Sequence, residues 1–545
     1  MTQNFDYIIV GAGSAGCVLA RRLSADPQSR VLVLEAGGDD RDVRVHIPLT
    51  AASLWFDPAF NWGYASEPEG CCDERRIPIP RGKLLGGSSS INGMFYVRGH
   101  PLDYDHWARS GAVGWSYDEV LPYFRRAENH WQGEGVYHGG QGPLRVVRNS
   151  YGPKLTEALT GAAEAMGFRR SNDHNGAQPE GFGVPDLTID DRGRRASSFT
   201  AFLKPVLNRL NLKVVTRAAV SRIVFDGNRA VGVEYRHGGV TRIARADREV
   251  ILASGAINSP HLLMLSGIGP SDHLRANGVA VRADLPGVGG NLQDHPTVGL
   301  GFSCARPAGF DSMLRVDRLA WTLLRWRLFG TGPATGMPVI GNALLRTSPD
   351  LERPDLQIMF TAVSARARPW FPGWRKANGH MFDTRNVLLH PESRGTVRLR
   401  SADPDADPSV RLNLLSAPED VEKLRQSVRL VRELFGQASL SDLISNEVSP
   451  GRSVESDADI DAYLRRTSGT AFHPVGTCAM GKGPQSVVDS DLRVHGFEAL
   501  RVVDASVMPT ITGGNTHAPV IMIAEKASDM ILRSTTVSVG TEAVT

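Results

Sequence analysis

Three glycines near the start of the chain have the spacing of a phosphate-binding turn. Gly11, Gly13 and Gly16 form a G-x-G-x-x-G pattern that follows an apolar run and precedes a helix-like segment. In such a pattern the first glycine permits a tight turn, the second lets the backbone approach a pyrophosphate, and the third lets helix and strand pack closely. Glu35 ends the next apolar run, where a carboxylate can accept hydrogen bonds from ribose hydroxyls. These residues predict a dinucleotide site.

Two later segments favour FAD over NAD as that dinucleotide. Ser254 and Gly255 follow a buried-strand pattern and would bring a second glycine turn to the same nucleotide. Asp504 and Ala505 follow a late apolar run. Asp504 can bond to the ribityl chain or, through the adjacent backbone, to the pyrophosphate. We therefore expect FAD as the cofactor.

Four longer motifs resemble those of a known family. They are RGKLLGGSSSING at 81–93, GAINSPHLLMLSGIG at 255–269, VGGNLQDH at 288–295 and PESRG at 391–395. In this order they resemble the glucose–methanol–choline (GMC) oxidoreductases, both the alcohol- and choline-dehydrogenase-like members and the aryl-alcohol-oxidase-like members. The similarity runs from residue 6 to about residue 533. It implies an α/β fold with a Rossmann-like FAD-binding domain and a discontinuous α+β substrate domain containing an antiparallel sheet.

The resemblance also implies how the chain divides between the two domains. The FAD-binding domain is expected to take 1–150, 192–300 and 470–535. The substrate domain is expected to take 151–191 and 301–469, and 536–545 would form a flexible tail.

The flavin contacts are implied by the same resemblance. The glycines and serines of 81–94 would let backbone amides approach the flavin, with Asn92, Gly93 and Met94 beside its isoalloxazine. Val220 would contact adenine through its backbone. Ile91 occupies the place where some relatives attach FAD to a histidine, so we expect noncovalent FAD. Further cofactor contacts are expected from Ser14, Ala15, Ala36, Trp62, Arg81, Gly86, Gly87, Ser90, Asn515 and Ala518.

Two histidines match the catalytic pair of the family. His473 lies in the stretch Phe-His-Pro-Val-Gly-Thr, and His517 lies in Gly-Gly-Asn-Thr-His-Ala-Pro. Alcohol oxidation removes the O–H proton as hydride leaves the carbon, and a neutral imidazole is a suitable base for that proton. A second polar group can hydrogen-bond the developing alkoxide. We expect His473 as the base, His517 as its hydrogen-bonding partner, and hydride transfer to flavin N5.

The expected reaction is oxidation of a primary, aromatic or otherwise bulky alcohol to the aldehyde. A dehydrogenase is favoured, with a quinone or a dye-like carrier as electron acceptor. Choline-dehydrogenase-like relatives often have asparagine at the second position, so His517 weakens a transfer of choline specificity. Three alternatives stay open. They are an oxidase that passes electrons to oxygen and makes hydrogen peroxide, a hydroxynitrile-lyase-like protein that keeps FAD without redox turnover, and a nucleotide-binding protein without catalysis.

The elements that must position these residues follow from the apolar pattern. Strands at 6–10 and 31–34 flank a helix at 15–24, which is a β-α-β unit with parallel strands. A hairpin is predicted at 220–235 around Asp226-Gly227-Asn228. Other strands are predicted at 212–215, 249–253, 354–361, 386–400 and 500–503. Other helices are predicted near 101–130, 154–167, 259–266, 311–329, 418–437 and 518–533.

Composition and charge exclude several classes of protein. The chain has 61 Lys and Arg against 58 Asp and Glu, a net charge of +3, which argues against a nucleic-acid partner. The five cysteines include no C-x-x-C pair, so we expect reduced thiols and no metal site. No apolar run reaches the roughly 18 residues that span a bilayer, and no basic region precedes the first apolar run. We expect a cytoplasmic monomer or homodimer.

Two segments mix arginines with large apolar residues. The predicted helix 311–329 is expected to pack on its own domain or on a partner subunit, and lying on a membrane is the less favoured alternative. The segment 366–375 alternates arginines with tryptophan and phenylalanine. It is expected to be a solvated loop or lid, and selection of an acidic or aromatic substrate is the less favoured alternative.

Overall fold

Two large sheets organise the chain in a computed structural model, which describes residues 4–364 and 366–542, with side chains as far as residue 534. The strands are β1 (Asn4–Val10), β2 (Val31–Leu34), β3 (Glu128–His130), β4 (Leu144–Arg148), β5 (Gly181–Gly183), β6 (Asp186–Leu187), β7 (Leu212–Val215), β8 (Ala218–Asp226), β9 (Arg229–His237), β10 (Val240–Leu252), β11 (Ile268–Gly269), β12 (Ala283–Asp284), β13 (Pro296–Cys304), β14 (Val339–Leu345), β15 (Leu356–Thr361), β16 (Met381–Leu388), β17 (Thr396–Arg398), β18 (Ser409–Arg411), β19 (Ile444–Ser449), β20 (Gly469–Thr470) and β21 (Leu500–Val502).

The helices surround and connect these sheets. They are α1 (Ser14–Leu23), α2 (Val43–His46), α3 (Ala51–Leu54), α4 (Pro101–Arg109), α5 (Tyr117–Ala127), α6 (Pro153–Ala165), α7 (Gly255–Leu265), α8 (Ser271–Ala276), α9 (Val316–Phe329), α10 (Pro418–Phe435), α11 (Asp457–Thr467) and α12 (His517–Glu542).

The first sheet has the strand order β7-β2-β1-β10-β9-β8, and β21 also pairs with β10. β1, β2, β7 and β21 run parallel to their neighbours, whereas β8 and β9 form an antiparallel hairpin on the first half of β10. The four residues of β2 are all buried, as expected for a strand covered on both faces. The predicted β-α-β unit and hairpin are therefore confirmed. The carboxyl ends of β1, β2, β10 and β21 meet at one edge, where the loops that bind a nucleotide belong.

The second sheet is antiparallel, with the order β19-β13-β16-β15-β14-β5 and with β20 pairing β13. The α/β class with a second, antiparallel sheet is confirmed. The predicted strand at 386–400 is wrong in position, because β16 lies earlier and polar residues such as Asp383 and Arg385 interrupt its apolar pattern. β13 begins at Pro296, so the second sheet starts just before the predicted boundary at residue 300.

The C-terminal helix α12 is fixed to the first sheet by buried charge. Glu525 is fully buried and accepts two hydrogen bonds of 2.8 Å from the guanidinium of Arg22 on α1. Arg126 on α5 lies 2.7 Å from the same carboxylate and also pairs with Asp529. This arrangement holds α12 against α1 and α5. α12 extends to Glu542, beyond the predicted end near 533 and into the predicted tail, whose last three residues lie outside the described residues.

The remaining sequence predictions have mixed outcomes. All five cysteines are free thiols. Among the residues described, no helix combines the length and apolarity needed to cross a membrane, and no histidine, cysteine or carboxylate cluster is arranged to hold a metal ion. α9 buries Trp326, whose indole N–H donates to the carbonyl of Gly193 at 2.7 Å, while Trp321 and Phe329 are exposed. The 366–375 segment packs on the start of α9 through the backbone of Trp370.

A buried cluster of charges supports the segment that follows residue 94. Arg98 donates to Glu128 at 2.6 Å, and His138 contacts Glu128 at 3.0 Å and Asp173 at 2.8 Å. Burial alone would lower the pKa of His138, but hydrogen bonds to Asp173 and Glu128 raise it to about 9. His138 is therefore an imidazolium at neutral pH, held between two carboxylates.

The stability of the protein should depend on pH through His138. Because the pKa of His138 is raised in the folded state, the folded state has its full stabilisation at pH values below the unfolded pKa of about 6.5. This stabilisation disappears as pH rises through about 9. The effect amounts to at most about 3 kcal/mol. We expect the urea midpoint of the wild type to fall between pH 6 and pH 9.5 and that of His138→Gln to fall much less. Equal pH dependence in both proteins would contradict this assignment.

Candidate active site

One cavity of about 560 Å³ brings together most of the residues predicted from the sequence. It extends between the glycine turn before α1 and the second sheet. The predicted residues that line it are Gly11, Gly13, Ser14, Ala15, Glu35, Ala36, Trp62, Arg81, Gly87, Asn92, Gly93, Met94, Val220, Ser254, Gly255, His473, Asp504, Ala505, Asn515 and His517.

Three predicted cofactor contacts lie behind the cavity wall instead. Gly86 has a positive φ of 88° and donates its N–H to the carbonyl of Ala12, and an added Cβ would meet the hydroxyl of Ser90 at 2.2 Å. Ser90 is fully buried and donates to the carbonyl of Leu85. Ala518 is 2% exposed in the first turn of α12. These residues shape the wall because their surfaces are already occupied by protein atoms.

The glycine turn has the geometry that the sequence predicted. Gly11 adopts a φ of 101°, and a Cβ there would lie 2.6 Å from the carbonyl oxygen of Ala253. Gly16 packs so closely that a Cβ would lie 1.9 Å from the carbonyl oxygen of Gly11. α1 then begins at Ser14, and its first N–H groups have no partner within the helix. Together with the helix dipole they form a site for phosphate oxygens at the cavity surface.

Glu35 closes the nucleotide end of the cavity. Its two carboxylate oxygens accept hydrogen bonds of 2.8 Å from the backbone N–H groups of Ala12 and Gly37. Burial raises the pKa of Glu35 to about 6, against the opposing effect of these two hydrogen bonds. The second lone pair of each oxygen stays available, so the predicted contact with ribose hydroxyls fits this geometry.

Asp504 has a different role from the one predicted for its side chain. Its carboxylate accepts from the N–H of Gly255 at 2.8 Å, the hydroxyl of Ser259 at 2.5 Å, and both the N–H and the hydroxyl of Ser506 at 2.9 and 2.6 Å. Four donors use the roughly four lone-pair sites of a carboxylate, so a further bond from this group to a ribityl chain is not supported. Asp504 instead fixes the turn at Gly255 against the loop after β21, and its backbone stays at the cavity surface.

The imidazole of His473 is held by hydrogen bonds at both ring nitrogens. Its Nδ1 lies 2.9 Å from Nδ1 of His295, and its Nε2 lies 3.1 Å from Nδ2 of Asn515. The backbone N–H of His473 donates to Asp294 at 2.8 Å. The residue before it, Phe472, has a left-handed φ of 66°, which turns the chain sharply at this point. Ring and backbone are both fixed at the cavity surface.

These contacts determine which nitrogen of His473 carries its proton. Nε2 of His295 lies 3.1 Å from the carbonyl oxygen of Thr512, and a carbonyl only accepts, so this nitrogen is the N–H. Burial lowers the pKa of His295 to about 3, so the ring is neutral and its Nδ1 accepts. His473 must then donate from Nδ1, which leaves the lone pair on Nε2. The amide of Asn515 donates to that lone pair in the absence of substrate.

The environment keeps His473 neutral and ready to accept a proton. Burial is the main cause that lowers its pKa well below the usual value, and His295, Arg81 and Arg385 lower it further. Once protonated at Nε2, the ring would still donate from Nδ1 to His295, now as a charge-assisted hydrogen bond. The arrangement is that of a general base whose orientation is set by a second residue.

His517 lines the same cavity but is not the partner of His473. Its Nε2 lies 3.0 Å from the hydroxyl of Ser198, and its buried Nδ1 has no hydrogen-bond partner in the part of the chain that the structure describes. The prediction that it hydrogen-bonds His473 is wrong because the first turn of α12 directs the ring toward Ser198. Asn515, two residues earlier, reaches the base instead. Burial, with a further effect from Arg195, lowers the pKa of His517 to about 4.

Three residues of the site were missed in the sequence. His295 ends the motif at 288–295, and a histidine at the end of such a motif was a signal in itself. Arg195 is 1% exposed and donates to the carbonyl and the side-chain oxygen of Asn92 at 2.6 and 2.7 Å. Arg385 lines the cavity from the middle of β16. Nothing in the local pattern distinguishes these two arginines from the many others in the chain.

Family models for GMC oxidoreductases match residues 5–297 and 391–524. The chain belongs to the GMC oxidoreductase family. An oxygen-dependent choline dehydrogenase of Sinorhizobium fredii is 44% identical over 529 residues, covering 97% of this chain and 95% of that protein. The solved pyridoxine 4-oxidase from Mesorbium loti has a TM-score of 0.86 and 33% identity, with 96% and 99% of the two chains covered. A formate oxidase variant of Aspergillus oryzae has a TM-score of 0.90 and 30% identity, with 98% of each chain covered.

As a GMC oxidoreductase this chain is an FAD-dependent enzyme that oxidises CH–OH groups of alcohols and passes the electrons to an acceptor. The cavity fits that cofactor. The N-terminus of α1 offers N–H groups that could hold the phosphates, Glu35 has lone pairs that could accept from ribose hydroxyls, and His473 lines the same cavity. His473 and the glycine turn of this GMC oxidoreductase therefore line one and the same cavity.

The hydrogen bond from His473 to His295 gives a direct test. Replacing His295 by leucine leaves the Nδ1–H of His473 buried without an acceptor, and we expect alcohol-driven flavin reduction to slow about 100-fold. His295→Gln, whose amide oxygen can accept, should recover part of the rate. Stopped-flow absorbance without oxygen measures the rate, and the flavin absorbance per protein controls for cofactor loss. A leucine variant with the wild-type rate would contradict the role of His295.

Proposed function

We propose that this enzyme oxidises a primary alcohol with an aromatic or otherwise bulky substituent to the aldehyde, with His473 as the general base. The proposal rests on two linked hydrogen bonds. His295 donates to the carbonyl of Thr512 and accepts from His473, which leaves a lone pair on Nε2 of His473 at the cavity surface. A base with this fixed tautomer is what removal of an alcohol proton requires.

The reaction divides between the cofactor and the protein. Bound FAD supplies the acceptor for the hydride that leaves the alcohol carbon. Nε2 of His473 takes the O–H proton, so the alcohol loses one proton to the protein and one hydride to the cofactor as its C–O bond becomes C=O. The amide of Asn515 then donates to the alcohol oxygen as negative charge develops there. When the alcohol binds, the Asn515 amide turns from Nε2 of His473 to the alcohol oxygen, and the lone pair of Nε2 becomes free to take the proton.

A large apolar substituent is supported by the side chains around the base. Trp55, Phe95, Met337, Val339 and Phe472 line the same cavity as His473. Trp55 and Phe472 pack edge to face with ring centroids 5.8 Å apart. Such a surface gains free energy by covering an aromatic or aliphatic group and excludes water from the reacting atoms.

Removal of the proposed base tests the reaction. His473→Ala should slow anaerobic flavin reduction by benzyl alcohol about 1,000-fold, because general-base catalysis is lost. The flavin absorbance should stay at the wild-type level, since the phosphate and ribose sites are untouched. His237→Ala, on the exposed end of β9, is the matched control and should keep the wild-type rate. An unchanged rate in His473→Ala would remove His473 from the mechanism.

We propose further that FAD is held without a covalent bond. Ile91 lines the cavity at the position where a histidine would be needed, and its side chain has no nucleophile. Denaturation with trichloroacetic acid should therefore release all the FAD into the supernatant, where its absorbance is measured. Yellow colour that stays with the precipitated protein would contradict noncovalent binding.

We favour a dehydrogenase as the physiological mode, and an oxidase is the second candidate. The relative from Sinorhizobium fredii is named a dehydrogenase but an oxygen-dependent one, and the two solved structures named above are oxidases, so these relatives leave the choice to experiment. Admission of air to the reduced protein distinguishes them. Slow return of the flavin band, with rapid reduction of an added quinone or dye, is expected of a dehydrogenase, and fast return with hydrogen peroxide is expected of an oxidase.

A further inference from the structure

The second sheet forms the wall of the cavity opposite the glycine turn. Along β15, Met359 and Thr361 line the cavity while Ile358 and Phe360 are buried on the other face. This is the alternation of an extended strand. Arg385 on β16 pairs with Met359 across the strands and lines the cavity on the same face. The sheet therefore presents Arg385 to the cavity beside the apolar Met359 and the neutral Thr361, whereas Asp383, on the same face of β16, is not among the residues that line the cavity.

Arg385 is fixed in place but not neutralised. One Nη donates to the carbonyl of Thr470 at 2.5 Å, and the guanidinium carbon lies 5.0 Å from the ring centroid of Phe472. Within the described parts of the chain, no carboxylate lies within 4 Å of Arg385, and Asp294 is the acid that acts on it from farther away. A guanidinium has five N–H donors, so most of those of Arg385 have no hydrogen-bond partner among the described residues.

Four carboxylates line the cavity, and three of them already accept hydrogen bonds or form an ion pair within the protein. Glu35 and Asp504 are bonded to the two glycine turns, and Asp405 is paired with Arg236. Asp407 lies beside Asp405 in the same loop. Among the described residues, none of these four carboxylates has a hydrogen bond or ion pair with His473 or Arg385. Two guanidiniums, of Arg81 and Arg385, act on His473, and the one carboxylate that acts on both is Asp294, so positive charge is in excess beside His473.

We infer that the alcohol oxidised by this enzyme carries a carboxylate, which Arg385 binds while the hydroxyl meets His473. This inference rests on the proposed function and adds the substrate class to it. The planar fork of an arginine matches a carboxylate with two parallel hydrogen bonds, and a half-buried site strengthens them. The apolar residues around Phe472 would cover the part of the molecule between the two polar ends. A hydroxymethyl-substituted aromatic acid has this pattern.

The same charge argues against a cationic alcohol. A quaternary ammonium group in this chamber would face Arg385, which has no carboxylate within 4 Å among the described residues, and like charges in a poorly solvated site repel strongly. Choline, after which the relative from Sinorhizobium fredii is named, is such a cation. We therefore expect this chain to differ in substrate class from that relative.

The experiment compares acids with their neutral esters on the FAD-loaded enzyme. The probes are 3- and 4-(hydroxymethyl)benzoate, their methyl esters, benzyl alcohol and choline, and anaerobic flavin reduction gives kcat/KM for each. We expect the better acid to exceed its ester about 100-fold in the wild type, as for a charge-assisted bidentate pair. Arg385→Met should remove this preference and Arg385→Lys should keep part of it. Arg346→Met, after β14 and outside the cavity, is the matched control and should leave the ratio unchanged.

A binding measurement separates recognition from turnover and from misfolding. Benzoate should perturb the flavin spectrum of the wild type and compete with the acids, and its Kd should rise about 100-fold in Arg385→Met, whereas benzyl alcohol should still reduce the flavin of that variant. A purely structural Arg385 would impair acid, ester and benzyl alcohol alike and would overturn the inference.

The possible failures are distinguishable. If benzyl alcohol and the esters reduce the flavin but the acids do so no better, the proposed function stands and the role of Arg385 is wrong. Preference for choline over the acids would also overturn the inference. If no alcohol of the panel reduces the flavin, the proposed function and the inference fail together.

Discussion

The hydrogen bond between His295 and His473 is the contact on which the chemistry of the cavity depends. Two neutral imidazoles meet through the same kind of nitrogen, so one must donate and the other must accept. The carbonyl of Thr512 decides the direction, because it forces the proton of His295 onto the far nitrogen. A backbone carbonyl therefore determines where the base has its lone pair, and no charged residue is needed to do so.

The rest of the fold serves to bring this base and the cofactor site to one surface. The first sheet supplies the glycine turn and Glu35 at the ends of its parallel strands. The second sheet supplies the opposite wall, and β13 carries the chain directly from His295 into that sheet. Buried charge pairs such as Arg22 with Glu525 keep α12, and with it the Asn515 loop, against α1. The cavity is the space between these two sheets.

The sequence allowed accurate prediction where chemistry depends on local spacing. The turn at Gly11, the strand before it and Glu35 after it lie within one β-α-β unit, so their relation needs no tertiary information. His473 was found through its motif. The partner of His473 was not found, because local spacing does not show that Asn515, just before α12, faces His473 while His517, the first residue of α12, faces Ser198. Arg385 was missed for a similar reason: its neighbours on the cavity face come from other strands, 24 or more residues away.

Removal of a proton and a hydride from an alcohol in this cavity can be followed by anaerobic mixing of the enzyme with benzyl alcohol and with its α,α-dideuterated form. The account predicts that the oxidised flavin band disappears, that one aldehyde forms per FAD, and that the deuterated alcohol reacts more slowly because the C–H bond breaks in the measured step. A flavin that stays oxidised with the benzyl alcohols and with every other primary alcohol tried, the hydroxymethylbenzoates included, would contradict the account.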